Sequence, residues 1–292
     1  MSNKKRSVSD IISFVVITIV AILFTFPLYW IITGSFKTKM EIMSVTPVWW
    51  PTEWVTDNYV TLMSKRSAPL FEFMGMEGPK VPAAIRWLGN TVFMSVTSMI
   101  ITCITASMAG YALAKKRFFG QTLLFSLIVC AMALPKQVIL IPLIREMSAL
   151  GLYDTIWATI IPIVGWPFGV FLLKQFCEGV PGEMIEAARI DGAGELKTFT
   201  KIVVPMIKPG IGALAIFTFI NAWNDYFMQL IMLTSSSQLT ISLGIATMQA
   251  ENSTDYGLLM AGSALAAVPI IVVFLIFQKY FTKGITLGAV KG

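Results

Sequence analysis

Histidine is missing from this chain altogether, which removes the commonest metal ligand and the usual proton relay near neutral pH. Cysteine is nearly missing. Cys103, Cys130 and Cys177 lie in or beside apolar stretches and form no CxxC pair, which argues against a disulfide framework or a zinc site. Charge is scarce too, at 13% of 292 residues, where a soluble domain carries about 25%. A G-x-x-x-x-G-K-[ST] phosphate loop is also absent, so the chain is not expected to hydrolyse ATP itself. The formal charge of +6 comes without any basic run interleaved with aromatics, which excludes a nucleic-acid reading.

What is present is apolar length. Hydrophobic residues fill 56% of the positions and the mean hydropathy is +0.75. A helical span needs roughly 20 mostly apolar residues, and six segments qualify: 11–32, 88–113, 121–144, 155–176, 209–234 and 257–278. The first follows Lys4, Lys5 and Arg6. It is too long for a signal-peptide core and has no A-x-A site after it, so it reads as an uncleaved span. The expected fold is an all-α membrane protein, a single transmembrane domain over 1–292 with six helices. A long external loop covers 33–87.

Lys and Arg set the orientation. With the N-terminus inside, 14 of the 22 fall in cytoplasmic pieces, around residues 4–6, 115–117, 174–208 and 279–291. Lys37, Lys39, Lys65, Arg66, Lys80 and Arg86 count the other way, but all lie in or beside the one long external loop, where the rule is weaker. An N-in, C-in topology results, and the loop 181–208 between the fourth and fifth spans is cytoplasmic. The external loop 235–256 is rich in Ser, Thr and Asn. It reads either as a solvated linker or as a contact for an external partner.

Small residues recur every fourth position at Ser98, Thr102, Ala106 and Gly110, and again at Gly262 and Ala266, so helix backbones can approach closely there. This serves packing within one bundle or an interface with a second membrane subunit. No internal repeat supports the inverted-repeat design of many secondary transporters.

The polar stretch 183–210, "EMIEAARIDGAGELKTFTKIVVPMIKPG", divides in two. Glu183 and Glu186 open a short helix, where carboxylates suit the positive end of the dipole. Gly192 and Gly194 turn the chain. Leu196, Phe199, Ile202 and Val203 then recur at helical spacing, so one apolar face is expected. Charges inside spans invite a functional hypothesis. Lys136 and Asp225 stand at similar depth in the third and fifth spans, roughly 22 Å above the inner end at 1.5 Å per residue. Asn221, Asn224, Asp225 and Met228 share one face of an unbroken helix, with Trp223 at an angle beside them. The group reads as a lining of the transport pathway, as sugar ligands, or as charges that snorkel or pair within the bundle.

The spacing E-A-A-x3-G-x9-I-x-x-P is met by Glu186, Ala187, Ala188, Gly192, Ile202 and Pro205, with Asp191 before the glycine. It resembles the signature loop of permease subunits in binding-protein-dependent ABC importers. Val204 stands where the family usually has leucine. "GNTVFMSVTSMIITCITASMAGYALAKKRFFG", "FTFINAWNDYF", "YFTKGITLGAVKG" and "WWPTEWVTDNYVTL" extend the resemblance to the carbohydrate-uptake, maltose-type permeases, and to the second permease of the pair. The segment "SKRSAPLFEFMGMEGPKVPAA" at 64–84 is longer than that pattern.

The resemblance implies a bacterial plasma-membrane subunit that pairs with a homologous permease, a dimeric cytoplasmic ATPase and an extracellular or periplasmic sugar-binding protein. Its coupling loop would comprise Glu186, Ala187, Ala188, Asp191, Gly192, Ile202 and Pro205, docking on the ATPase. The chain itself would bind no cofactor, since ATP and Mg belong to the partner, and no metal. Loop 235–256 would touch the binding protein's cleft. Polyol and glycerol-phosphate permeases share these motifs. An ion-gradient-driven transporter is the rival class, disfavoured by the missing repeat and the few intramembrane acids. A membrane-embedded enzyme lacks any candidate metal-ligand or His-containing cluster.

Overall fold

The computed structural model describes residues 8–70, 72–73, 76–251 and 255–289. Lys4, Lys5, Arg6 and Lys291, counted above for orientation, lie outside them. Two compact units emerge: Met1–Arg86 with Gly244–Val268, and Trp87–Leu243 with Pro269–Gly292.

The first unit opens with α1 (Val8–Gly34), which is apolar on every side and exposed along most of its length. Such a helix suits lipid rather than water. Two short helices follow, α2 (Lys39–Ile42) and α3 (Asp57–Ser64). The Thr38 side chain and Glu41 form a reciprocal capping box on α2. Glu41 also accepts from the Thr52 N–H (2.8 Å) and hydroxyl. These bonds, led by those from Thr52, pull its pKa down to about 2. Lys37, counted as an external cation, is only 2% exposed. Its Nζ donates to the Val48 carbonyl and lies 4.2 Å from the Trp30 ring centroid, and burial lowers its pKa.

The long segment 64–84 forms antiparallel strands. β1 (Ser67–Pro69) and β4 (Lys80–Pro82) pair as Ser67 opposite Pro82 and Pro69 opposite Lys80. Between them β2 (Glu72–Phe73) and β3 (Met76–Glu77) pair in the same register.

The second unit is built on α4 (Ala83–Lys115), whose first four residues belong to the first unit. Then come α5 (Gln121–Ala131), α6 (Leu140–Ala149), α7 (Trp157–Val164) and α8 (Pro167–Glu178). The polar loop contributes α9 (Gly182–Ile190), α10 (Glu195–Thr198), a π-helical turn (Phe199–Val203) and α11 (Val204–Met206). The chain continues through α12 (Lys208–Asn224), α13 (Tyr226–Met232), α14 (Ile241–Glu251) and α15 (Tyr256–Ala289). The last two cross the boundary between the units.

Small residues set the packing. A Cβ at Gly110 would lie 2.8 Å from the α8 backbone at Leu173 and Lys174, and one at Gly210 would enter the Phe176 ring. Ser98, Thr102 and Ala106 are buried with Gly110, and Ala106 meets Leu173 and Leu214. The fourfold stripe on α4 therefore packs within this unit. Gly262 meets Ile245 in the first unit, and Ala266 is half-buried. Any side chain at Gly110 would overpack a backbone that cannot rotate away, a class of change that typically loses about 1–3 kcal/mol.

Among the described residues, four helices are long and apolar enough to span a membrane: Val8–Gly34, Ala83–Lys115, Trp157–Glu178 and Tyr256–Gln278. Glu195–Met206 with Lys208–Asn224, bent by 78°, makes a fifth if counted as one span. The segment 121–144, expected as one continuous helix, is instead broken. α5 ends at Ala131 and α6 begins at Leu140. Pro135 disfavours helical geometry at Leu134, and residues 132–139 are exposed.

Loop 235–256 differs from its reading as a solvated linker. Ser237, Leu239, Thr240, Ile241 and Leu243 are buried, and α14 occupies much of the segment. Side chains satisfy its backbone. Trp87 Nε1 donates to the Ser236 carbonyl and Asn90 Nδ2 to those of Ser237 and Leu239, while the Thr91 hydroxyl accepts from the Ile241 N–H. Gln229, itself buried, donates to the Ala222 carbonyl and accepts from the Thr240 hydroxyl. Asp154, in the left-handed region at φ 60°, accepts from the N–H groups of Thr234 and Ser235 at 2.7 and 2.9 Å. Irregular backbone can be buried only when it is satisfied in this way. Seven hydroxyl residues between 234 and 247 read as polar surface in sequence, yet Ser237 and Thr240 are buried.

Candidate functional site

Two clusters hold the residues singled out above. The first is the loop 181–208. α9 carries Glu183 in its first turn and ends at Asp191, with Gly192 at φ 77° and an empty space where a Cβ would stand. Ile185 points into a core with Tyr111, Cys177, Val180, Val203 and Ile207, and Ala188 is buried too. Glu186, Ala187, Asp191 and Gly192 are exposed, as is Pro205, while Ile202 is half-buried. Exposed with them are apolar side chains: Met184, Ile190 at 87% and Leu196 at 71%.

The apolar face expected of Leu196, Phe199, Ile202 and Val203 packs only from Phe199 onward. Val203 is buried with Thr198 and Ile207, Phe199 is half-buried, and Leu196 points out. The π-helical turn at Phe199–Val203 explains the shift. Its i→i+5 bonding inserts an extra residue into the turn and rotates the face relative to an α-helix.

Glu195 gathers the loop's charges. Its carboxylate accepts from Lys116 Nζ, from Arg189 (3.2 Å) and from the Tyr111 hydroxyl (3.2 Å). The Lys116 hydrogen bond is the largest cause of a lowered Glu195 pKa. Lys115 donates to the carbonyls of Glu178 and Val180 at 3.1 and 2.6 Å. The Glu178 carbonyl, at the end of α8, lacks an intrahelical partner, and a cation suits it. Sequence reading missed Glu195. The signal available was the Lys-Lys-Arg run after α4, which needs a counter-charge somewhere.

The second cluster centres on Lys136 and Asp225, whose side chains meet at 3.0 Å. Asp225 does not lie within a continuous helix. It stands at the break between α12 and α13, with ψ 61°, and accepts from the Met228 N–H at 3.4 Å. The face expected of Asn221, Asn224, Asp225 and Met228 is therefore interrupted at its third member. Two cavities flank the pair. One, about 240 Å³, is lined by Lys136, Ile220, Asn221, Asn224 and Asp225. The other, about 270 Å³, adds Leu143, Trp166, Pro167 and Met228 to Lys136, Asn221 and Asp225.

Trp223 lines neither cavity. It is buried and stacks on Phe219 at 5.5 Å, on the packed side of α12 that also carries Ala222. Trp166 supplies the aromatic surface instead, its ring 5.4 Å from Lys136 Nζ. Its sequence signal was the Gly-Trp-Pro run inside an apolar stretch, where Pro167 begins a new helix. Asn221 and Asn224 each donate an amide N–H to the carbonyl four residues earlier, at 2.8 and 2.9 Å. That leaves their oxygens, with Asp225, as an acceptor-rich wall. Among the described residues no group of three metal-ligating side chains occurs.

Residues 104–287 match the family model described as binding-protein-dependent transport system inner membrane component. The arabinooligosaccharides transport system permease protein AraQ of Halalkalibacterium halodurans is 33% identical over 99% of this chain and 100% of its own length. The inner membrane ABC transporter permease protein YcjP of Escherichia coli is 28% identical, with both chains covered in full. Among solved structures, a chain of a bacterial ABC transporter that imports the acidic polysaccharide alginate aligns with a TM-score of 0.77. It covers 96% of this chain and 100% of that one at 21% identity, a likeness of fold. The MetNI methionine ABC transporter aligns at 0.55 over 69% of this chain and 96% of its own.

Proposed function

The chain belongs to the family of inner-membrane components of binding-protein-dependent transport systems, and from that premise we propose that it is half of the translocation pathway of an ATP-driven sugar importer. Residues 1–292 work as one transmembrane domain of six spans, N-in and C-in. It pairs with a homologous second permease, receives sugar from an external binding protein, and docks a dimeric ATPase on the loop 181–208. ATP and its Mg bind on that partner. ATP-driven closure of the ATPase dimer pushes on the docked loop and turns the pathway from inward- to outward-facing.

One observation carries the docking assignment. On α9 and the turn after it, Glu186, Ala187, Asp191 and Gly192 are exposed together with Met184 and Ile190. The same loop is anchored from behind by Ile185 and Val203. Apolar atoms outside the spans, beside small residues and rimmed by charge, suit a protein surface. The names of the relatives support a saccharide, and the acceptor wall beside Lys136 and Asp225 suits hydroxyl donors. Lys136, Asn221, Asn224 and Asp225 line the pathway in this reading, with Trp166 in the aromatic role first assigned to Trp223.

The test is Glu186→Lys. It removes no buried contact, so the chain should insert and fold, while ATPase copurification and sugar uptake fall together. If both are unchanged, the loop is a linker and the assignment fails. Calorimetry on the cognate binding protein identifies the sugar.

A further inference from the structure

The loop's exposed side faces outward, but its other side is tied to a single helix end. Tyr111, Lys115 and Lys116 sit on the last turns of α4 and just beyond. Lys115 holds the carbonyls of Glu178 and Val180, at the entry to the loop. Tyr111 and Lys116 hold Glu195, past the glycine turn. Arg189, on α9 itself, reaches the same carboxylate. The Tyr111 ring packs 5.4 Å from Phe199 and lies in the core that seats Ile185. α4 therefore grips the loop before and after α9, and Glu195 is the point where α9, α10 and α4 converge.

Exposed pairs of this kind add little stability. Glu195 is largely exposed in both of its ion pairs, so their consequence is directional. They fix how far α9 can move without moving α4. Gly110, one residue before Tyr111, is seated against the α8 backbone, so a displacement of the end of α4 passes directly to its neighbours in the bundle.

We propose that Glu195 is a positioning residue for energy coupling, a clasp that transmits displacement of the docking helix to α4. This rests on the docking assignment above. Glu195 is not among the residues assigned to docking and is not required to hold the ATPase.

The experiment uses the full transporter, with its second permease, ATPase and binding protein, reconstituted in vesicles. Glu195→Gln keeps the shape and removes the charge. ATPase copurification should be unchanged, while sugar uptake per ATP hydrolysed falls by about fivefold, the lower end of typical coupling between sites. Lys116→Met should lower the same ratio, and the double variant should be no worse than the more severe single one, since both remove one interaction. A purely structural role would lower protein yield or ATPase binding and leave the ratio alone. Normal uptake per ATP in Glu195→Gln overturns the proposal, and so does loss of the ATPase itself. Glu186→Lys, run in parallel, separates the two levels. If it also leaves uptake intact the docking assignment fails, and if it alone abolishes uptake only the clasp fails.

Discussion

Lys116–Glu195 and Lys136–Asp225 are ion pairs that join residues far apart in sequence, and they differ in their solvent. Lys116 and Glu195 are 27% and 60% exposed, and their carboxylate shares its charge with Arg189 and Tyr111. Lys136 and Asp225 are 48% and 16% exposed, and opposite the asparagines the wall beside them is apolar: Ala131, Leu134, Ile139 and Ile163. In water a pair is screened and replaceable. Where one partner is sequestered, the lost partner leaves a charge that few other groups can compensate. The same chemistry thus gives a loose clasp at the loop and a committed pair at the helix break.

Removing Asp225 should break this contrast most strongly. Asp225→Ala strands the Lys136 ammonium beside Trp166 and opens the two cavities into one. We expect sugar uptake to fall roughly tenfold, equivalent to about 1.4 kcal/mol of pathway free energy, with assembly retained. Vesicle uptake and copurification of the partners measure the two separately. Lys136→Met with Asp225→Asn should recover part of the loss, because removing both charges avoids the stranded one. Wild-type kinetics in Asp225→Ala would remove these residues from the pathway.

How much of this was legible differs between the two clusters. Gly192 was readable as a turn because an αL position selects glycine, and the helix before it because its carboxylates and alanines obey local rules. Lys136 and Asp225 stood out because charge is rare in apolar segments. The helix breaks that bring them together were not legible as such. Asp225 carries no proline or glycine beside it to mark a break. Trp223 was misplaced because its position beside the two amides does not say which side of α12 packs, and its side is the buried one. Loop 235–256 misled through composition, because Ser and Thr that cap buried backbone look identical to Ser and Thr in water. The π-helical turn at Phe199–Val203 likewise leaves no residue signature, and it alone moved Leu196 off the packed face.

Salt sharpens the comparison with a smaller effect. The screening length is about 10 Å at 0.1 M and about 3 Å at 1 M. The difference in uptake per ATP between wild type and Glu195→Gln should therefore shrink as potassium chloride is raised on the loop side of the vesicle. The difference between wild type and Asp225→Asn should persist. If both differences vanish together, the helix-break pair is as solvated as the loop and the contrast is lost.

Acid gives the smallest effect and the finest distinction. The Glu195 carboxyl is held below its ordinary value, first by the Lys116 hydrogen bond. Its folded pKa is thus depressed relative to the unfolded chain. The stabilisation is complete above the usual carboxylate range and is lost as pH falls through the folded value. Glu41, at about 2, obeys the same sign but is held chiefly by the hydroxyls and N–H groups of Thr38 and Thr52. Neutral donors are not screened as ions are. Protease nicking of the 38–52 segment in Glu41→Gln relative to wild type should thus differ by the same factor at low and high salt above pH 5, and the difference should close only as pH drops toward the folded value. At the loop, both acid and salt should erase the difference that Glu195→Gln makes to nicking of the 189–197 segment. A Glu41 effect that follows salt would mean that the neighbouring Lys37, not the threonines, holds that carboxylate, and the buried lysine would then have to be charged and turned toward it.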